Sequence, residues 1–169
     1  MSKIISGKEI AQDLRNKLKQ EISDLKNKTG SVPGLAVVQV GNVAASSVYV
    51  KAKTKSALEV GIEVIDHHLE NTITQDELIG LIEKLNSQEN VNGILVQLPL
   101  HKHISEERVL NLIPPSKDVD GLHPYNIGSL ALKNHYPHFV SCTPLGCLEL
   151  IMRQFPKETK DLSGKKVCI

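Results

Sequence analysis

Leu35-Ala36-Val37-Val38-Gln39-Val40, closed at once by Gly41-Asn42, decides the fold. A short apolar, β-branched run ended by a turn dipeptide reads as a strand buried on both faces of a parallel sheet. Working outward, a helix is expected from about Ala45 to Val60, stopped by Gly61. Ile62 to Leu69 reads as a second strand. Thr74 and Glu77 make a capping box for a helix whose buried stripe is Leu78, Ile79, Ile82 and Leu85. Asn92 to Leu98 reads as a third strand. Upstream, Ser6 with Glu9 opens a long helix, with Ile5 placed to staple onto Ile10. Ile10, Leu14, Leu18, Ile22 and Leu25 recur at helical spacing until Gly30, and Pro33-Gly34 ends the segment. Strands alternating with helices predict an α/β fold: a three-layer parallel sheet with helices on both faces.

Beyond the third strand, Ser105 to Leu112 reads as a short helix ended by Pro114-Pro115, and Asn126 to Leu132 as another. Phe139 to Pro144 is expected to be extended, with Thr143 capping a helix from Pro144 to Phe155. Asp161 to Ile169 reads as a turn and the start of a new strand. These boundaries suggest a main domain over 1–142, a linking helix over 143–160 and the first strand of a further domain over 161–169.

Composition narrows the function. The chain has 169 residues, formal net charge +1 and only 3% aromatic residues, without Trp. No global field favours nucleic acid or an anionic membrane, and stacking platforms for single strands are few. The apolar runs are far short of a membrane span, and the N-terminus lacks a signal-peptide pattern. Cys142, Cys147 and Cys168 offer no pair at zinc-site spacing, so a reduced, cytosolic chain is expected. No metal site is expected: His101 and His103 lack supporting ligands, and Asp118 with Asp120 falls short of a calcium loop.

Chemistry gathers in three places. Tyr49 and Lys53 stand four residues apart, with Ser46 three residues before the tyrosine. On a helix these share one face, with Cβ atoms about 5–6 Å apart. A phenol, an amine and a hydroxyl so placed can stack on a flat ring and move a proton; spacing alone more readily describes a solvated basic face with one half-buried tyrosine. Gln97 sits at a C-terminal strand end, where ligands bind in such sheets, and reads either as a site residue or as a satisfied core amide. Pro99 forbids further ladder pairing there. In Ser116-Lys117-Asp118-Val119-Asp120-Gly121, one carboxylate can accept a fork of hydrogen bonds from an amidine-like ring edge, or cap an Asx-turn. Cys142 and Cys147 read as packing residues.

Longer stretches carry a resemblance. Val40-Gly41-Asn42 through Ser46, Tyr49 and Lys53 to Gly61-Ile62 resembles the first signature of the bifunctional methylenetetrahydrofolate dehydrogenase/cyclohydrolase family. Gly93 to Leu100, Pro114 to Gly121 and Cys142 to Gly146 are similar to further family blocks in the same order. Asp161-Leu162-Ser163-Gly164-Lys165-Lys166 resembles the family's entry into its nucleotide domain, the truncated start of a Rossmann-type NAD(P) domain. Two positions depart from the pattern: Val43-Ala44 stands for Asp-Pro, and Ser141 for Pro.

The resemblance implies oxidation of methylenetetrahydrofolate with NADP, then hydrolysis of methenyltetrahydrofolate to formyltetrahydrofolate. It implies catalytic roles for Lys53 as general acid/base, for Gln97 beside it and for Tyr49 stacked on the folate ring. Ser46 would support the lysine, and Asp120 would hold the pterin edge. Val96 and Leu98 complete the implied substrate contacts. A lysine works as a base near neutral pH only if its pKa falls well below about 10.4, and a cationic methenyl substrate would push it that way. The family's glycine-rich NADP segment, its Pro-Gly-Gly-Val segment and its last helix have no match, so no cofactor-binding residue is expected in this chain. The family pattern also implies a homodimer for the longer protein. The alternative is a short folate-binding domain without turnover.

Overall fold

β1 (Gly34–Val40) is the middle strand of a parallel sheet ordered β2-β1-β3, with β2 at Glu63–Leu69 and β3 at Gly93–Val96. The structure, a computed structural model, describes residues 4–42, 44–155, 162–164 and 166, without the side chains of 44–46. The expected strand over 161–169 lies largely outside the described residues.

The sheet's position follows from its sequence. All of β1 except Leu35 is buried, as a strand covered on both faces requires. Its register pairs Ala36 with Ile65 and with Ile94. β1 runs through α2 (Ala44–Val60) to β2 on one side, and β2 runs through α3 (Gln75–Ser87) back across β1 to β3. Two right-handed crossovers running in opposite directions place their helices on opposite faces.

The core divides accordingly. Ala36, Val38, Ile94 and Val96 pack with Leu78, Ile82 and Leu85 of α3 and with Val109 of α4 (Glu106–Leu112). On the other face, Val37 and Leu95 meet Val50 of α2. α1 (Gly7–Thr29) lies outside α2, with Ile22 against the αL turn at Gly61. Its Leu18 and Leu25 remain exposed.

Local signals hold at most ends. Ser6 accepts the Glu9 N–H at the start of α1, Gly30 caps its end with φ 75°, and the Thr74/Glu77 box closes in both directions. Ser105 caps α4. α5 spans Pro124–Ala131 rather than starting at Asn126: Pro124 takes the first turn, and His123 Nδ1 accepts the Tyr125 N–H at 3.0 Å.

Two further expectations are corrected. β3 ends at Val96, not Leu98: the Gln97 N–H still reaches Val38 O at 2.9 Å, but Pro99 has no N–H with which to continue. α6 spans Cys142–Met152, so Thr143 lies inside it and Ser141 holds the N-cap position without a side-chain bond. Proline is tolerated in a first turn because those N–H groups have no intrahelical partner, so Pro144 does not mark the first residue.

Candidate functional site

The strand order creates a crevice. The chain leaves β1 toward the α2 face and leaves β3 toward the α3–α4 face, so the C-terminal ends of these adjacent strands diverge. That is the switch point at which open α/β sheets bind ligands. Gly41 (φ 71°) makes the turn out of β1, its N–H held by Leu69 O at 2.8 Å, and α2 then carries Lys53 over the crevice. Gln97 stands at the end of β3.

These elements bring three groups together. Lys53 Nζ lies 3.5 Å from Gln97 Oε1 and 3.7 Å from Asp120 Oδ2. Gln97 Nε2 donates to Leu98 O at 2.7 Å, which turns its carbonyl oxygen toward the lysine. The lysine and aspartate side chains keep 38% and 27% of their exposure. The amine is therefore partly desolvated, held by one carboxylate and one amide, and open to a ligand.

Tyr49 lies one turn before Lys53 on α2 and is 67% exposed, not the half-buried tyrosine of the solvated-face reading. Its ring is free to cover a flat ligand. The Ser46 side chain lies outside the described residues. Val96 is buried in the core on the α3–α4 face, and the partly buried Leu98 packs against that core, so neither side chain offers a polar contact.

The two aspartates divide the roles the sequence left open. Asp120 faces Lys53. Asp118 is buried and accepts the His123 N–H and the Asn126 Nδ2–H, each at 2.8 Å. It is a structural acceptor at the start of α5.

Sequence reasoning missed Cys142. It reads as packing, yet its Sγ donates to Val119 O at 3.6 Å, beside Asp120. Partial burial, and then the Asp120 carboxylate, push its thiol above the ordinary value; Lys53 offsets part of this and Asp118 adds to it. A thiol so raised is a poor nucleophile at neutral pH. The signal was the block Cys142 to Gly146, which places this residue at the crevice only once the loop before it is seen to back onto Gly121.

His101 and His103 share a contact between their Nδ1 atoms at 3.1 Å, and His103 Nε2 meets Ile73 O at 2.8 Å. Among the described residues, no three His, Cys, Asp or Glu side chains group as a metal site, and no helix is long and apolar enough to cross a membrane. A cavity of about 690 Å³ opens on another face of α2, lined by residues including Gln39, Lys51, Thr54, Lys55 and His68. None of Tyr49, Lys53, Gln97 and Asp120 lines it.

Comparison with known proteins bears on the same segments. Residues 5–120 match the family model for the tetrahydrofolate dehydrogenase/cyclohydrolase catalytic domain. The Bifunctional protein FolD of Acetivibrio thermocellus is 50% identical over 169 residues, which covers 99% of this chain and 56% of that protein. The solved structure of bifunctional FolD from Campylobacter jejuni gives a TM-score of 0.83 at 42% identity, covering 90% of this chain and 53% of that one. The Trypanosoma brucei dehydrogenase-cyclohydrolase, solved with NADP cofactor and inhibitor, gives 0.85 at 32% identity, covering 90% and 52%. The chain spans about half the length of the curated relatives it matches. With its sheet, its ordered sequence blocks and most of its length matched in this way, the chain belongs to the tetrahydrofolate dehydrogenase/cyclohydrolase family.

Proposed function

We propose that this chain is the folate-binding catalytic part of an enzyme that oxidises methylenetetrahydrofolate and hydrolyses methenyltetrahydrofolate to formyltetrahydrofolate. The observation that carries this reading is Lys53 Nζ held between Gln97 Oε1 and Asp120 Oδ2 at 3.5 and 3.7 Å, at the mouth of the switch-point crevice. In the hydrolysis, water adds to the carbon of the cationic N–C–N bridge and gives its proton to the Lys53 amine. The resulting adduct collapses, one C–N bond breaks, and the departing nitrogen takes the proton back from Lys53. The remaining carbon becomes the formyl group, and one proton is released overall. Gln97 orients the amine, Tyr49 covers the ring and Asp120 accepts hydrogen bonds from the pterin edge. Ser46 is proposed to support the lysine.

Oxidation needs a nicotinamide acceptor, for which NADP is the proposed partner by analogy with the Trypanosoma brucei complex. The described turn after β1 carries the single glycine Gly41, not the glycine run that lets a backbone approach a pyrophosphate. The chemical steps assigned here to the described residues are the hydrolytic ones. The proposed segments are 1–142 for folate and catalysis, 143–160 as a link and 161–169 as the start of a nucleotide domain. A homodimer is proposed for the longer protein. A reduced cytosolic setting fits the free thiols of Cys142 and Cys147.

The test is Lys53→Gln in a full-length enzyme built on this domain. Hydrolysis, followed by loss of the methenyl absorbance, should fall at least ~100-fold, the usual worth of a general acid/base. Folate affinity should change far less. Equal loss of binding and turnover would make Lys53 a charge contact rather than the catalyst.

A further inference from the structure

Asp120 carries one of the two contacts on Lys53, yet it sits on an irregular loop. The sheet does not hold it directly. What holds it can be traced bond by bond. The Ile94 N–H donates to Lys117 O at 2.7 Å, which lays the loop along the β3 edge. Lys117 Nζ reaches Asn86 O at 2.9 Å and Gln88 O at 3.1 Å, so the loop is also tied to the end of α3. Val119 covers Gly93 so closely that a Cβ there would collide with its Cγ1. The turn then closes through the Gly121 N–H on Asp118 O at 3.1 Å. Asp120 lies inside that turn, and Asp118 is its anchor.

Asp118 is in turn fixed by Asn126. The Asn126 side chain is wholly buried and every polar atom of it is used. Its Nδ2 donates to Asp118 Oδ2 at 2.8 Å and to Pro115 O at 3.0 Å, and its Oδ1 accepts the His138 N–H at 3.0 Å. A primary amide alone offers two donors and an acceptor in this arrangement: an aspartate would set two carboxylates face to face, and a leucine would strand all three partners. The amide therefore ties the start of the loop, its buried carboxylate and the segment leading into α6 at one point.

We propose that Asn126 is a positioning residue for the Lys53 site. Through Asp118 it sets the turn that aims the Asp120 carboxylate at the lysine amine, from a place that touches neither lysine nor substrate. The consequence for folate hydrolysis rests on the function proposed above; the effect on Lys53 itself does not.

The test reads Lys53 directly. The ¹³Cε–¹Hε resonance of Lys53, assigned by its loss in Lys53→Arg, is compared across Asp120→Asn, Asn126→Ala and Asp118→Asn. Methyl resonances of Val37 and Ile82 report whether the core is intact. Asp120→Asn defines the position of the signal without its carboxylate partner. Asn126→Ala and Asp118→Asn should each move the signal toward that position, and neither should move it further when combined with Asp120→Asn. A merely structural strut would shift it equally in both backgrounds or not at all. A Lys53 signal left at its wild-type position with the core intact overturns the proposal, and so does unfolding of both Asn126→Ala and the isosteric Asp118→Asn. In the full-length enzyme, Asn126→Ala should lower kcat by ~10–100-fold, as small misplacements of a catalytic group do, and should raise KM in the same direction as Asp120→Asn, because the displaced carboxylate also holds the pterin edge. If the resonances respond as stated but the wild-type enzyme hydrolyses no methenyltetrahydrofolate, the functional reading falls and the positioning role stands.

Discussion

Replacing Gly121 by alanine should destabilise the protein more than the same exchange at an αL glycine in open space. Gly121 has φ +65°, and a Cβ built on it would lie 2.6 Å from Ser141 N and 2.8 Å from Val140 C. Both neighbours are backbone atoms, so no side chain can swing aside. The left-handed conformation costs a non-glycine residue roughly 1–2 kcal/mol. Overfilling a packed contact adds about 1–3 kcal/mol, for a total of about 2–5 kcal/mol. Gly30 is the control: its φ is +75°, but a Cβ there would meet nothing within 4 Å, so Gly30→Ala should cost only the conformational part, roughly 1–2 kcal/mol. Urea unfolding of both variants, followed by far-UV circular dichroism, gives the difference directly. Stabilities within about 0.5 kcal/mol of each other, inside the usual scatter of independent sites, would refute the claim that the Asp120 turn is wedged against the segment entering α6.

Other outcomes follow from single contacts. Thr74→Ala should destabilise by about 1 kcal/mol, the usual worth of an N-cap, in thermal unfolding. Glu77 is held below its ordinary value by the Thr74 backbone N–H first and the Thr74 hydroxyl second. A depressed carboxylate stabilises above its unfolded pKa and loses that contribution as pH falls through its folded value. Glu77→Gln should therefore flatten the acid limb of the stability profile, and an unchanged limb would contradict the box. Cys142 should alkylate slowly with iodoacetamide, and Asp120→Asn should speed it by removing a carboxylate that raises the thiol; peptide mapping by mass spectrometry reads the rate, and a slower rate would contradict the placement.

Much of this was legible because period and punctuation agree. The apolar run of β1, the Thr74/Glu77 box and the glycines at 30, 41 and 61 each carry a local signal that the structure repeats. The approach of Lys53 to Gln97 was also within reach, since both follow the ends of parallel strands. Strand order was not: nothing local says that β1 lies between β2 and β3, and that order alone makes the crevice. The division of labour between Asp118 and Asp120 was hidden for a similar reason. Two carboxylates one residue apart look alike until Asn126, from a later helix, claims one of them. Cys142 likewise becomes a neighbour of the site only because Gly121 packs on Val140 and Ser141.

The most direct measurement is backbone amide shift mapping of this chain titrated with a folate analogue. Amides of Tyr49, Gln97 and Asp120 should move together, with those of Gln39, Thr54 and His68 unchanged. Shifts confined to Gln39, Thr54 and His68, around the cavity on the other face of α2, would contradict this.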